Sequence, residues 1–237
     1  MIPFASHEEV DYNWKDKFSE KLEQLGRLID DFNTRVSMHP GQYTVLNSDK
    51  EQVRKNAVAE LKYHTDFLEA LNRGRNAKIT LHIGGVYGNK QAAKKRFINQ
   101  ANRLPEHVKN HLIIENDENS YHIFDLLEIS SRTDLPVVFD LLHHQLNSGE
   151  EGKNYSDFLP DVFATWTDGD GPPIVHFSSK SGKTAGHHSR RIDPEDFLEF
   201  INQTQHLHEF DVMLECKDKE LALLELREKM SSEGIDF

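Results

Sequence analysis

The sequence predicts an α/β protein built as a TIM-type (β/α) barrel, and three observations carry that expectation. Short apolar runs alternate with polar stretches of helical periodicity along the whole chain. No glycine-rich phosphate loop follows any of those runs, which argues against a doubly wound nucleotide-binding sheet. Metal-ligand residue types stand at the end of run after run, as expected where barrel strands converge on one active face.

Taken in order, residues 2–5 are expected to end a strand. Phe18, Leu22, Leu25, Leu28, Ile29 and Phe32 then recur at helical spacing and predict a helix. Residues 35–38 read as the next strand, and Val58, Leu61, Thr65, Leu68 and Leu71 as a second helical stripe. Strands follow at 78–83, 112–114, 135–139, 173–177 and 211–214. Helices are expected near 90–103, 120–132, 157–167, 194–203 and 217–229. In IDPEDFLEF, Asp193 can cap and Pro194 can take the first helical position. Strand–helix alternation of this kind makes a parallel sheet. The stretch TDGDGPP (167–173) reads as a loop rather than a linker, so residues 1–237 are expected to form one domain.

Composition narrows the classes. Hydrophobic residues make up 37% and charged residues 29% of the 237, long enough for a substantial core. No apolar run of about 18 residues exists, so no membrane span is expected. The first residues lack the pattern of a signal peptide. One cysteine, Cys216, allows no internal disulfide and fits a reducing cytoplasm. A net charge of −12 argues against a protein that coats nucleic acid, but not against a DNA enzyme whose active face is made positive by metal ions.

The expected strand ends carry, in order, His7, His39, His82, Glu115, Asp140, His176 and Glu215. The loops add His143, three residues after Asp140, and His188 in AGHHSRR. A lone histidine at a strand end is ordinarily a hydrogen-bonded structural residue. Seven ligand types at successive strand ends point instead to a shared site. Nine oxygen and nitrogen ligands exceed what one ion needs and suggest about two or three divalent cations. Carboxylates mixed with imidazoles, without thiolates, favour manganese, zinc or iron. Clustered metals suit phosphodiester hydrolysis, with one activating water and the others polarising the phosphate and leaving oxygen. His64, His107, His111, His122, His206 and His208 fall in or beside helices and are expected at the solvated surface, while His144 and His187 remain open. Cys216 is expected to be structural.

These residues lie in IPFASHE, MHPGQYTVLNS, LHIGG, IIENDE, VVFDLLHH, VHFSS, GHHS and MLECKDKELAL. Together, and in this order, the motifs resemble the UV damage endonuclease family over nearly the whole chain. HPGQY with LNS is the most specific of them. The resemblance implies a barrel nuclease of the xylose isomerase-like, endonuclease IV-like kind that nicks double-stranded DNA immediately 5′ of UV photoproducts. It implies metal ligation, commonly of manganese, by His7, His39, His82, Glu115, Asp140, His143, His176, His188 and Glu215. Glu115 and Glu215 would bridge ions, and His143 and His188 would share the catalytic centre. Gln42 and Tyr43 would wedge into the duplex at the lesion, where the extruded nucleotides leave a gap.

Two departures accompany the resemblance. The lysine that the family carries two residues before the histidine of VHFSS is Ile174 here, with Lys180 and Lys183 nearby in sequence. The family also has a strand, a helix and most of a second strand ahead of IPFASHE, so a barrel without its first strand and helix is expected. The sequence reading is therefore a monomeric, cytoplasmic, metal-dependent DNA repair endonuclease. Its rivals are a sugar isomerase or epimerase on the same barrel, which has no use for a Gln-Tyr wedge, and an inactive remnant that binds damage.

Overall fold

A computed structural model describes residues 5–7, 9–150, 152–180 and 187–235. The described chain divides into two compact units. One comprises Met1–Glu115, Glu128–Pro136 and Thr167–Gly171; the other comprises Asn116–Leu127, Val137–Trp166 and Pro172–Phe237.

In the first unit, helices α1 (Trp14–Lys17) and α2 (Ser19–Asp31) precede strand β1 (Ser37–Met38). Then come α3 (Glu51–Ala70), β2 (Lys78–His82), α4 (Lys90–Ala101), α5 (Glu106–His111) and β3 (Leu112–Glu115). The three strands pair in parallel, with Ser37 opposite Lys78 and His82 opposite Glu115. Leu112, Ile113 and Ile114 are fully buried, as are Ile79 and Leu61. Each such side chain contributes about 1.5–3 kcal/mol on burial. Near-continuous apolar strands of this kind are what a parallel sheet covered by helices requires.

Helix α6 (Ile123–Thr133) leads to the second unit's β4 (Val137–Asp140), α7 (Leu141–Leu146), α8 (Leu159–Phe163), β5 (Ile174–Phe177), α9 (Pro194–Thr204), β6 (Asp211–Leu214) and α10 (Lys219–Ser232). Strands β4, β5 and β6 are again parallel, with Asp140 opposite His176. The core here is aromatic: Phe139 lies 5.5 Å from Phe158, and Phe177 lies 5.2 Å from Phe197, ring centre to ring centre. Asp193 caps α9 by accepting from the Glu195 amide at 2.9 Å, and Pro194 opens the helix as expected. Among the described residues no helix is long and apolar enough to cross a membrane.

The strand expected at 78–83 ends one residue earlier and that at 112–114 one later. Those expected at 35–38 and 135–139 start two residues later, that at 173–177 starts one later, and β6 matches its expected bounds. The first expected strand lies outside the described residues except for Ala5, which sits in a turn. Helices α5 and α7 have no counterpart among the expected elements. Each has six residues, too few to show a period. The stripe on α2 is only partly covered. Leu22 is buried beside Trp14, Tyr63 and Leu71, whereas Leu25, Leu28 and Phe32 are exposed. Gly26 is what lets α2 approach so closely, since a Cβ there would lie 2.7 Å from the Leu71 carbonyl oxygen.

Two histidines expected at the surface are core residues. His111 is buried and donates from Nδ1 to the Ala77 carbonyl at 2.7 Å, and burial pushes its pKa down. His64 is buried in α3, its Nδ1 2.8 Å from the Glu60 carbonyl. His107, His206 and His208 are exposed and His122 is half-buried. His144 is buried against Phe139 and Phe158, and desolvation lowers its pKa to about 4. His187 is exposed.

Candidate metal centre

In the first unit the parallel register delivers His82 and Glu115 side by side at the C-terminal ends of β2 and β3. His39 follows β1 directly. Glu115 is almost fully buried, and its Oε2 lies 3.0 Å from His39 Nε2 and 3.3 Å from His82 Nε2. The two imidazole rings are 5.2 Å apart, and one ligand atom from each of the three residues falls within 4.8 Å of the others.

Hydrogen bonding fixes how His39 is presented. Its Nδ1 lies 3.2 Å from the Pro40 carbonyl, and a carbonyl can only accept, so Nδ1 carries the proton. Nε2 then turns its lone pair toward a carboxylate oxygen at 3.0 Å. Two acceptors at that distance need a second proton or a cation between them, and a divalent cation satisfies both imidazoles and the carboxylate together.

The loops around this group are pinned rather than loose. After Pro40 the chain turns, with the Thr44 amide donating to the Gly41 carbonyl at 2.9 Å. Pro40 is buried, while Gln42 is exposed and Tyr43 is 82% exposed. Beyond the turn, buried Asn47 donates to the Gly85 carbonyl at 2.8 Å, and Arg96 donates to the Asn47 carbonyl at 2.8 Å. Gly84 has a φ of +102°, and a Cβ there would lie 2.1 Å from a Val45 methyl. The pairing of LHIGG with TVLNS is thus a packing requirement.

In the second unit Asp140 and His176 are neighbours in register, and Glu215 follows β6. One ligand atom from each lies within 4.8 Å of the others. His176 Nδ1 is 3.3 Å from Glu215 Oε1, and His188 Nε2 is 3.6 Å from Glu215 Oε2. Lys180 and His188 form an isolated antiparallel bridge. The Lys217 amide bonds the Ser189 carbonyl at 3.1 Å, which brings His188 to Glu215. His188 Nδ1 is buried without a hydrogen-bond partner among the described residues. His143 stands with its Nδ1 3.7 Å from Asp140 Oδ1 and its ring 6.4 Å from that of His188.

Both groups fit divalent cations: buried carboxylates, imidazoles, no thiolate. Cys216 is half-buried, and its thiol, raised in pKa by burial, points to the Lys219 carbonyl. His7 is not among the ligand atoms grouped in either set. It is exposed and lines, with Tyr43, Thr44, Gln52 and Lys55, a cavity of about 590 Å³. Ile174 is buried at the start of β5, on the same strand face as His176; Lys180 is exposed, and Lys183 lies outside the described residues.

Sequence reasoning missed two residues of ENDEN. Glu118 Oε2 lies 3.7 Å from His143 Nε2, and the buried Asn116 side chain bonds both the backbone amide and the carbonyl of Asp140. The only signal was the motif itself, an acidic run beginning at a strand end.

Comparison with known proteins identifies a family for this chain. The family described as UV-endonuclease UvdE matches residues 1–236. The UV DNA damage endonuclease of Bacillus cereus (strain B4264) is 36% identical over 234 residues, covering 98% of this chain and 73% of its own. The crystal structure of SacUVDE superposes with a TM-score of 0.89 at 38% identity, over 98% of this chain and 78% of that one. Endonuclease IV from Thermus thermophilus aligns with a TM-score of 0.63 at 14% identity, over 96% of this chain and 87% of that one, which speaks to the fold alone.

Proposed function

The chain belongs to the UV-endonuclease UvdE family, and from that premise we propose that it is a divalent-metal-dependent repair endonuclease that nicks duplex DNA immediately 5′ of UV photoproducts. One observation carries the reading. His39, held against Glu115, lies two residues before the Gly41–Thr44 turn that carries the 82% exposed Tyr43, so in this reading metal ligation and duplex contact share one loop.

In this reading His39, His82 and Glu115 hold one cation, and Asp140, His143, His176, His188 and Glu215 hold its companions. His7 completes the set, and manganese is the proposed metal. When bound, such ions activate water and neutralise the charge that develops on the phosphate. The protein's own groups supply the rest. Pro40 fixes the tautomer of His39, and the register of β2 with β3 sets the spacing of His82 and Glu115. Tyr43 and Gln42, projecting from the turn, fill the gap in the stack where the damaged nucleotides swing out. Water oxygen bonds to phosphorus and the P–O3′ bond breaks, leaving a 3′-hydroxyl and a 5′-phosphate. A cytoplasmic location belongs to the same proposal.

The test is an end-labelled duplex bearing one pyrimidine dimer, incubated with manganese and mapped to the nucleotide. A single nick immediately 5′ of the dimer, with the undamaged duplex left whole, supports the proposal. Equal nicking of both duplexes contradicts it.

A further inference from the structure

We propose that Asn116 is a positioning residue that holds the Asp140–His143 ligand pair, an inference that rests on the metal-dependent reading above. Asn116 is fully buried immediately after β3. Its Nδ2 donates to the Asp140 carbonyl at 3.0 Å, and its Oδ1 accepts from the Asp140 amide at 2.8 Å. The side chain thus grips one residue's backbone at two points and sets the direction of the Asp140 side chain. A third contact comes from the Asn116 backbone, whose carbonyl lies 2.9 Å from His143 Nδ1. A carbonyl only accepts, so His143 carries its proton on Nδ1 and leaves Nε2 as the ligating atom. Asp140 Oδ1 closes the circuit by accepting from the His143 amide at 2.7 Å, which caps α7.

One residue therefore governs the orientation of one ligand and the tautomer of another. No other side chain of similar size does this. Aspartate lacks the donor for the Asp140 carbonyl, and leucine lacks both groups. Glutamine carries both on a stem one methylene longer, in a fully buried site. Outer contacts of this kind, which orient ligands without touching metal, set affinity by about 10–100-fold.

The experiment compares wild type with Asn116→Ala and with Asn116→Asp, which keeps the acceptor and loses the donor. Manganese binding is titrated on chelator-stripped protein, the visible spectrum of the cobalt-loaded protein is recorded, and kcat and KM for the damaged duplex are measured separately. The expected result is binding weakened by about 10–100-fold in Asn116→Ala, with a changed cobalt spectrum in both variants and a loss in kcat rather than KM. If Asn116→Ala fails to fold, the cobalt spectrum of Asn116→Asp decides. Wild-type affinity and spectrum in the variants, with only the unfolding midpoint lowered, would reduce Asn116 to a structural residue and overturn the inference. A wild-type protein that binds no manganese overturns the metal-dependent reading as well, and so separates the two failures.

Discussion

The two ends of β2 solve the same problem in opposite ways. Lys78 opens the strand and His82 closes it, four residues apart and therefore on one face. At the Lys78 end the charges meet opposite charges. Lys78 is fully buried and donates to Asp170 and to the Asn110 carbonyl at 2.9 Å. Arg75 meets Asp170 with two bonds of 2.9 and 3.1 Å, and Arg35 donates to the Asp170 carbonyl at 2.6 Å. Burial alone would raise the Asp170 pKa. Hydrogen bonds from Arg75, Lys78 and Thr167 outweigh it and hold the carboxyl well below the usual range. At the His82 end, the buried Glu115 carboxylate faces two imidazole nitrogens, a donor set that suits a metal ion. The first end is saturated with ion pairs; the second groups three side chains that could hold a cation. Barrel enzymes divide their strand ends in this way, with stability at the N-terminal side and chemistry at the C-terminal side.

The contrast can be broken most forcefully at Asp170. Asp170→Ala leaves Lys78 buried without its counter-charge and should cost about 3–5 kcal/mol in urea unfolding, while manganese affinity of the folded protein stays unchanged. Glu115→Gln should do the reverse. Incision falls by at least about 100-fold, roughly 2.7 kcal/mol of transition-state stabilisation, and metal-free stability holds or rises because one buried anion is gone. Acid sharpens the comparison. The Asp170 carboxyl is held below its ordinary 3.8, so the unfolded chain takes up that proton first as pH falls. Its contribution is fully present above about pH 4 and is lost below it. Acid unfolding curves should show Asp170→Asn losing less stability than wild type over that range. The smallest effect on the fold belongs to Tyr43→Ala. A side chain 82% exposed should change stability by no more than about 0.5 kcal/mol, yet the preference for damaged over undamaged duplex should fall.

Much of this is legible in the sequence, for physical reasons that differ by residue. Strand β6 can be placed because Val212, Met213 and Leu214 form a short apolar run before the charged stretch from Glu215. His39, His82, Glu115, Asp140, His176 and Glu215 can be found because a parallel sheet puts strand ends on one side, whatever their separation along the chain. Asp170 cannot be found that way. Its loop looks like ordinary turn chemistry, and its partner Lys78 is 92 residues distant. Helix α7 escapes because it begins at a ligand: Asp140 caps it, so one carboxylate both starts the helix and faces the site. The exposed half of α2 misleads for a simpler reason. Leu25, Leu28 and Phe32 keep helical period with Leu22, and period alone does not say which apolar residues find a neighbour.

The central claim is that the C-terminal strand ends of this protein are completed by divalent metal for the incision of damaged DNA. It is tested most directly by stripping the protein with a chelator and titrating manganese back while following nicks in irradiated and unirradiated copies of one duplex. The account predicts no incision by stripped protein, and recovery on the irradiated copy alone as manganese binds. Undiminished cutting by the stripped protein would contradict it.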